Sequence, residues 1–291
     1  MKIIGTGLSG LVGSRIVELL SANYEFEDVS RKTGTDVLNA DGVYERLQKS
    51  ESSVVLHLAA YTNVDEAEKE KDLGEKSQAW KINVGGTENV LSACEKLNKK
   101  IIYISTDMVF PGTKELPDKY QEDDQRGPVG FYASTKYEAE KIIEKSKCPW
   151  IILRIAYPYR ANFEKKEYVR VLKWLLEEGR EINAVADHYF TPTFIDDLAP
   201  VLNTLIQEKA TGKFHAGGTE AVSPYIAALK VAETFDLDKN LIRETTRAEF
   251  FKDRAPRAYN LSLKNDRIEK FGVRMRSFTQ GLAEIKKQLA I

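Results

Sequence analysis

Two cysteines, Cys94 and Cys148, are all that the 291 residues contain, too few and too scattered for a disulfide framework. Only three histidines occur, His57, His188 and His215, far apart and without metal-ligand spacing. Each is expected to be structural or to touch substrate, and no metal site is expected. Charge of one sign is missing too: the formal net charge is −1. No nucleic-acid partner is therefore expected, because that function needs a concentrated basic surface. No apolar stretch approaches the roughly 20 residues needed to span a bilayer. Met1-Lys2-Ile3-Ile4 runs straight into a glycine-rich turn, which leaves no room for a secretory leader. Together these absences predict a reduced, cytoplasmic, globular protein with no membrane partner.

What is present suits a packed core, with 42% hydrophobic and 30% charged residues. The length fits one large α/β domain with a satellite, or two modest domains. Strands are expected over Met1–Gly5, Tyr24–Val29, Ser53–Ala60, Lys100–Ser105 and Pro149–Ile155. Helices are expected over Leu11–Leu20, Lys81–Leu97 and Phe131–Lys145. Continuous apolar runs such as SVVLHLAA mark strands covered on both faces, and their alternation with helices predicts a doubly wound parallel sheet, a Rossmann fold. After about residue 156 the rhythm changes. One helix is expected near Glu167–Glu178, Phe194–Gln207 reads as a return to the main sheet, and the rest as mostly helical. The division expected is 1–155, with a return segment at 193–213, for the dinucleotide lobe, and 156–291 for a smaller, mostly helical substrate lobe. The charge run Asp65–Lys71 reads as a solvated face, and Glu122-Asp123-Asp124 as a loop near the site entrance.

The stretch Gly5-Thr6-Gly7-Leu8-Ser9-Gly10-Leu11-Val12-Gly13 follows the first strand and opens the first helix. One glycine permits the tight turn, one lets backbone approach a pyrophosphate, and one lets helix pack on strand. Free amides at the helix start then face the phosphates. About 20 residues beyond this motif, NAD-binding folds carry a carboxylate for the ribose 2′-hydroxyl. Here that neighbourhood reads Asp28-Val29-Ser30-Arg31-Lys32. Ser30 and Arg31 suit a 2′-phosphate, since a guanidinium binds it bidentately, while Asp28 dissents from within the strand. NADPH is the expected cofactor, with NADH the alternative. Its expected contacts are Gly7 through Gly13, then Ser30, Arg31, Asp36, Val37, Ala59, Ala60, Tyr61, Asn83, Tyr132 and Lys136.

Tyr132-Ala-Ser-Thr-Lys136 stacks a phenol and an ammonium on one helix face. A nearby ammonium is expected to lower the tyrosine pKa from about 10 toward working pH, so that the phenol can exchange a proton with an alkoxide. Ser105-Thr106-Asp107 ends a strand, where ligands of open parallel sheets collect. Hydroxyls there can polarise a carbonyl for hydride attack. Asn83 reads equally as a catalytic residue and as one bonded to local backbone.

The glycine pattern, STDMVF and YASTK together resemble the extended short-chain dehydrogenase/reductase superfamily. HLAAYTNVDEAE, KINVGGTENV, STDMVFPG, YQEDD before PVGFYASTK, LRIAYPY and TPTFIDDLA follow the order found in the dTDP-4-dehydrorhamnose reductases and their sugar-nucleotide-binding relatives. The resemblance implies Thr106 as hydroxyl catalyst, Tyr132 as acid, and Lys136 as its partner on the nicotinamide ribose. It implies that Ser105, Thr106, Asp107 and Tyr157 meet a nucleotide-sugar substrate. Tyr157 stands where those reductases usually have tryptophan, Met108 replaces the tyrosine of STDYVF, and Ala133 replaces the glycine of YGxSK.

The expected activity is NADPH-dependent reduction of a nucleotide-linked 4-keto-6-deoxy sugar, as in dTDP-rhamnose biosynthesis. Two alternatives remain. GKFHAGG and APR resemble equally the NADP-binding regulatory β subunit of methionine adenosyltransferase, and the superfamily includes epimerases and dehydratases that hold NAD tightly. A homodimer stays open, since helix-paired dimers are common in the superfamily.

Overall fold

The structure is a computed structural model, and it describes residues 1–290. The first lobe follows the alternation read from the sequence. Strand β1 (Lys2–Thr6) leads into helix α1 (Leu11–Leu20), β2 (Glu25–Val29), α2 (Ala40–Lys49) and β3 (Val54–His57). After the short α3 (Val64–Lys69), helix α4 (Gln78–Trp80) passes through a π-helical turn at Lys81–Gly85 into α5 (Gly86–Lys96). Then come β4 (Lys100–Thr106), α6 (Phe131–Glu144) and β5 (Trp150–Ile155). Every residue of β3 and six of the seven in β4 are buried, as helices on both faces require. On α1, Gly13, Ile16 and Leu20 form the buried stripe, packing with Ile3, Leu56 and Ile104. Each such aliphatic side chain contributes about 1.5–3 kcal/mol by leaving water.

The second half departs from the expectation in two ways. After α7 (Tyr168–Glu177), strand β6 (Ile182–Val185) pairs in parallel with β8 (Ile242–Thr245), so the smaller lobe holds a two-stranded sheet as well as helices. The segment expected to return to the main sheet does so as helix α8 (Leu198–Gln207), and the strand itself is the later β7 (Gly212–His215). Ala199, Leu202 and Leu205 recur at helical spacing and face the sheet, so the helical period outweighs the apolar run. Helices α9 (Pro224–Thr234), α10 (Arg247–Phe250), α11 (Asp266–Glu269) and α12 (Phe278–Leu289) complete the chain. Phe190, Val231, Phe278 and Leu282 fill the second core with Tyr159. A Cβ at Gly281 would stand 1.9 Å from the Tyr159 hydroxyl, so only glycine lets α12 approach.

The main sheet is wholly parallel, in the order β2-β1-β3-β4-β5-β7. Chain direction across the sheet reverses between β1 and β3, the switch point where the carboxyl ends of strands open a crevice. Register sets what meets there. Thr6 lies opposite His57, which brings Gly7 beside Leu58 and Ala59, while Thr106 lies opposite Ile155, which brings Asp107 beside Ala156 and Tyr157.

Candidate active site

The glycine turn sits at the switch point. Gly7 has φ +69°, and a Cβ there would lie 2.7 Å from the Ala59 nitrogen. A Cβ at Gly13 would lie 2.5 Å from the Gly7 carbonyl oxygen and 2.7 Å from the Leu8 Cα, so this glycine lets α1 rest on the turn. Gly10 is different. Its Cβ would touch only the Gly7 oxygen, at 3.2 Å, and it caps α1 with no side chain bonded to the helix start. The amides of Leu11 and Val12 therefore open on a cradle shaped for an anion. Leu8 is buried in the core, whereas Ser9 is exposed.

At the second strand Asp28 lies inside β2, and Ser30 Oγ donates to its Oδ2 at 2.5 Å. Arg31 is exposed at the head of a 3-10 turn. The segment carrying Asp36 and Val37 is held against α5, where Asn89 Nδ2 donates to the Val37 carbonyl at 2.9 Å. Ala59, Ala60 and Tyr61 border the crevice after β3.

Asn83 occupies the π-helical turn and is buried. Its Oδ1 accepts from the Tyr61 amide at 2.8 Å, and its Nδ2 donates to the Tyr61 carbonyl and, at 2.8 Å, to Thr135 Oγ1. It stands behind the Ala59–Tyr61 loop as a clamp, and π turns are often found at functional sites. Beneath it runs a wire of neutral groups that the sequence reading missed. The Ala59 amide donates to Thr6 Oγ1, which lies 2.6 Å from His57 Nδ1. His57 Nε2 lies 3.0 Å from Thr87 Oγ1, which donates to the Asn83 carbonyl. Since both threonine protons are directed by these bonds, His57 carries its proton on Nε2. Burial, and then the charge of Lys136, push its pKa down to about 3, so it is neutral.

Tyr132, Lys136 and Glu140 stack on one face of α6, and all three are buried. Lys136 Nζ donates to the Ile104 carbonyl at 2.8 Å and lies 4.0 Å from the Tyr103 ring centroid. Burial pushes its pKa down to about 7, against an opposing pull from Glu140. The expected lowering of the phenol by this lysine is corrected here. Burial, and then the neighbouring Asp107 carboxyl, push Tyr132 above the ordinary tyrosine value, so it is held as a phenol. Thr106 Oγ1 donates to Asp107 Oδ1 at 2.9 Å and accepts from the Met108 amide. Asp107 Oδ2 and Ser105 Oγ are buried, and Asp107 Oδ2 finds no partner among the described residues. Burial raises Asp107 to about 7. Buried polar atoms without partners are rare and mark places where something else completes the set.

Below the site, Glu140 is chelated by Arg154 through Nε and Nη2 at 2.9 and 2.8 Å, and it meets Arg126 at 2.8 Å. Glu140 was legible only as one more i+4 step from Lys136. Tyr157 borders the other side. It has φ +39°, an outlier for a bulky residue, and its ring stacks on Phe190 at 3.8 Å. Its hydroxyl lies 3.0 Å from His188 Nε2. His188 Nδ1 lies 2.7 Å from the Ala258 carbonyl and must donate to it, so Nε2 accepts from Tyr157. Burial pushes His188 down to about 4.

One charge reading changes. Asp65 and Glu68, expected on a solvated face, are engaged: Glu68 Oε2 accepts from the Phe131 amide at 2.8 Å, capping α6 from outside, and Asp65 holds the segment around Ala255. The acidic loop is spent on structure. Asp123 pairs with Lys213 and Arg267, and Asp124 with Lys114. Among the described residues no helix is long and apolar enough to cross a membrane.

Comparison with known proteins agrees with this fold. A crystal structure of dTDP-4-dehydrorhamnose reductase from Bacillus anthracis in complex with NADP superposes with a TM-score of 0.89, at 29% identity, covering 99% of each chain. A dTDP-4-dehydrorhamnose reductase from Aggregatibacter actinomycetemcomitans is 27% identical over 98% of both chains. Methionine adenosyltransferase 2 subunit beta from Mus musculus is 25% identical over 97% of this chain and 86% of its own. The model of the RmlD substrate binding domain family matches residues 1–291 from end to end, and this chain belongs to that family.

Proposed function

We propose that this chain is an NADPH-dependent reductase of a nucleotide-linked 4-keto-6-deoxy sugar, with Tyr132 as the general acid. The observation that carries the proposal is the unspent polar set at the end of β4. Asp107 Oδ2 is buried without a partner beside Thr106, with a protonated Tyr132 close enough for the Asp107 charge to raise it. Such a set accommodates a carbonyl and its flanking hydroxyl. The Gly7–Gly13 cradle holds the pyrophosphate, Arg31 takes the 2′-phosphate with Ser30 turning its hydroxyl from Asp28 to join it, and Asp36, Val37 and Ala59 to Tyr61 line the adenosine and ribose. When bound, NADPH supplies the hydride. Thr106 turns its proton from Asp107 to the substrate carbonyl, Tyr132 delivers the proton that completes the hydroxyl, and Lys136 holds the nicotinamide ribose. Asp107 and Tyr157 orient the sugar. We assign 1–155 and 193–213 to cofactor binding and the remainder of 156–291 to substrate binding.

The test is NADPH oxidation with dTDP-4-keto-6-deoxy sugars by wild type and Tyr132→Phe. Loss of one positioned acid lowers kcat by about 10²–10⁴-fold, and equal turnover sinks the assignment. Likeness to the methionine adenosyltransferase subunit supports a second reading, a cofactor-binding regulatory subunit. Tight NADPH binding without turnover on any keto sugar selects it.

A further inference from the structure

The segment Arg254-Ala255-Pro256-Arg257-Ala258 belongs to the smaller lobe by sequence, yet it is fastened to the other. Asp65, in the first turn of α3, accepts from the Ala255 amide at 3.3 Å and from Arg257 Nη2 at 3.1 Å, with Arg254 Nε at 3.9 Å. Arg257 Nη1 donates back to the Ala255 carbonyl at 2.8 Å, which makes the segment a closed loop around the ion pair. Pro256 lies against Gly130, where a Cβ would be 3.5 Å from the proline Cγ. Gly130 has φ +93° and precedes the first residue of α6, whose amide Glu68 caps from α3. Ala258 presses on Gly112, downstream of Thr106 and Asp107, so closely that a Cβ there would stand 2.3 Å from its own. The Ala258 carbonyl then fixes the His188 ring, and His188 fixes the Tyr157 hydroxyl.

These contacts form one chain: Asp65, Arg257, Ala258, His188, Tyr157. Its first member stands on the cofactor lobe and its last on the substrate side. Tyr157 is the link that needs holding, because a left-handed backbone in a bulky residue relaxes unless its surroundings over-determine it. The ring is pinned on one face by Phe190 and at its tip by His188. His188 can keep this role only while its Nδ1 acceptor, the Ala258 carbonyl, stays in place.

We propose that Asp65 and Arg257 form an interlobe latch that positions Tyr157 for the substrate sugar, making Asp65 a positioning residue for a site it does not touch. The inference rests on the proposed reading that the sugar lies against Tyr157. It separates two affinities: the latch governs the nucleotide sugar and leaves the cofactor cradle of Gly7 to Gly13 unaffected.

The test uses Asp65→Asn, which keeps shape and an acceptor but removes the charge, Arg257→Gln, and the double variant, in the full-length chain. Each single variant is expected to raise KM for the keto-sugar nucleotide about tenfold, the loss typical of one charge-assisted contact, with kcat within about twofold. The NADPH Kd is expected to be unchanged, and the double variant to lose less than the sum of the two single losses, because both members share the Asp65–Arg257 ion pair. Amide hydrogen exchange over residues 155–160 and 186–190 is expected to be faster in each variant. Unchanged KM, an additive double variant, or unchanged exchange in those two segments overturns the latch. A wild type that reduces no keto sugar overturns the activity instead, and the exchange measurement then decides the latch alone.

Discussion

Two glycines of the same motif respond oppositely to one added methyl group. A Cβ at Gly13 meets backbone only: the Gly7 oxygen at 2.5 Å, the Leu8 Cα at 2.7 Å and the Leu8 oxygen at 2.9 Å. None of these is the end of a flexible side chain, so α1 must lift off the turn by about 0.9 Å to regain ordinary contact. Overpacking of this kind costs about 1–3 kcal/mol. In a chain of 291 residues that lowers Tm by roughly 2–5 °C. Gly10 has φ −77° and ψ 178°, which alanine adopts freely, and its only close neighbour is the Gly7 oxygen at 3.2 Å. Losing glycine at the cap costs a few tenths of a kcal/mol or somewhat more, and stiffening the unfolded chain returns about 0.4–1 kcal/mol, so Gly10→Ala leaves Tm nearly unchanged. Its methyl instead projects into the proposed phosphate cradle, and is expected to weaken NADPH by about 10–100-fold, or roughly 1.4–2.8 kcal/mol. Thermal unfolding followed by circular dichroism and a fluorescence titration with NADPH read the two effects separately. Wild-type affinity in Gly10→Ala, or an unshifted Tm in Gly13→Ala, refutes the assignment of cradle and spacer.

The histidine tautomers are checked by long-range proton–nitrogen NMR at pH 6: His57 shows a proton on Nε2 and His188 on Nδ1, and an imidazolium signal from either contradicts the buried wire. Stability follows from the same groups. His57, His188 and His215 all titrate lower folded than unfolded. The unfolded chain therefore binds more protons, and stability is lost as pH falls below about 6.5, by at most roughly 1.4 kcal/mol per pH unit for each histidine. Asp107, raised to about 7, opposes them with one proton. A denaturation midpoint higher at pH 5 than at pH 7 reverses the predicted sign. Asn83→Ala strands the Tyr61 amide and carbonyl; unfolding by urea should show a loss of about 2–4 kcal/mol, and an unchanged midpoint means that Asn83 is no clamp.

The glycine turn and the Tyr132–Lys136 pair were legible because each is a local pattern: a strand end followed at fixed spacing by a helix start, or two residues one turn apart. Helix α1 was read at its observed bounds for the same reason. The segment after Phe194 was read as a return to the main sheet but not as the helix that makes it, because an apolar run too short to show its period clearly suits either a strand or a buried helix, and only packing on the sheet distinguishes them. Asp65 is separated from Arg257 by 192 positions, and no spacing rule joins them. A charge run reads as solvated until the fold shows what lies opposite.

The sequence alone determined the parallel sheet, the position of the cradle and the identity of the groups at the end of β4, since period, glycine placement and side-chain chemistry are properties of contiguous residues. The tertiary structure decided the protonation of those groups. Tyr132 is held as a phenol and the histidines as neutral rings because burial removes water from them, and burial is the joint work of segments distant in the chain. The structure also decided which polar groups were spent on the fold and which were left for a ligand. That division separates Asn83, fully bonded, from Asp107, with one oxygen unpartnered.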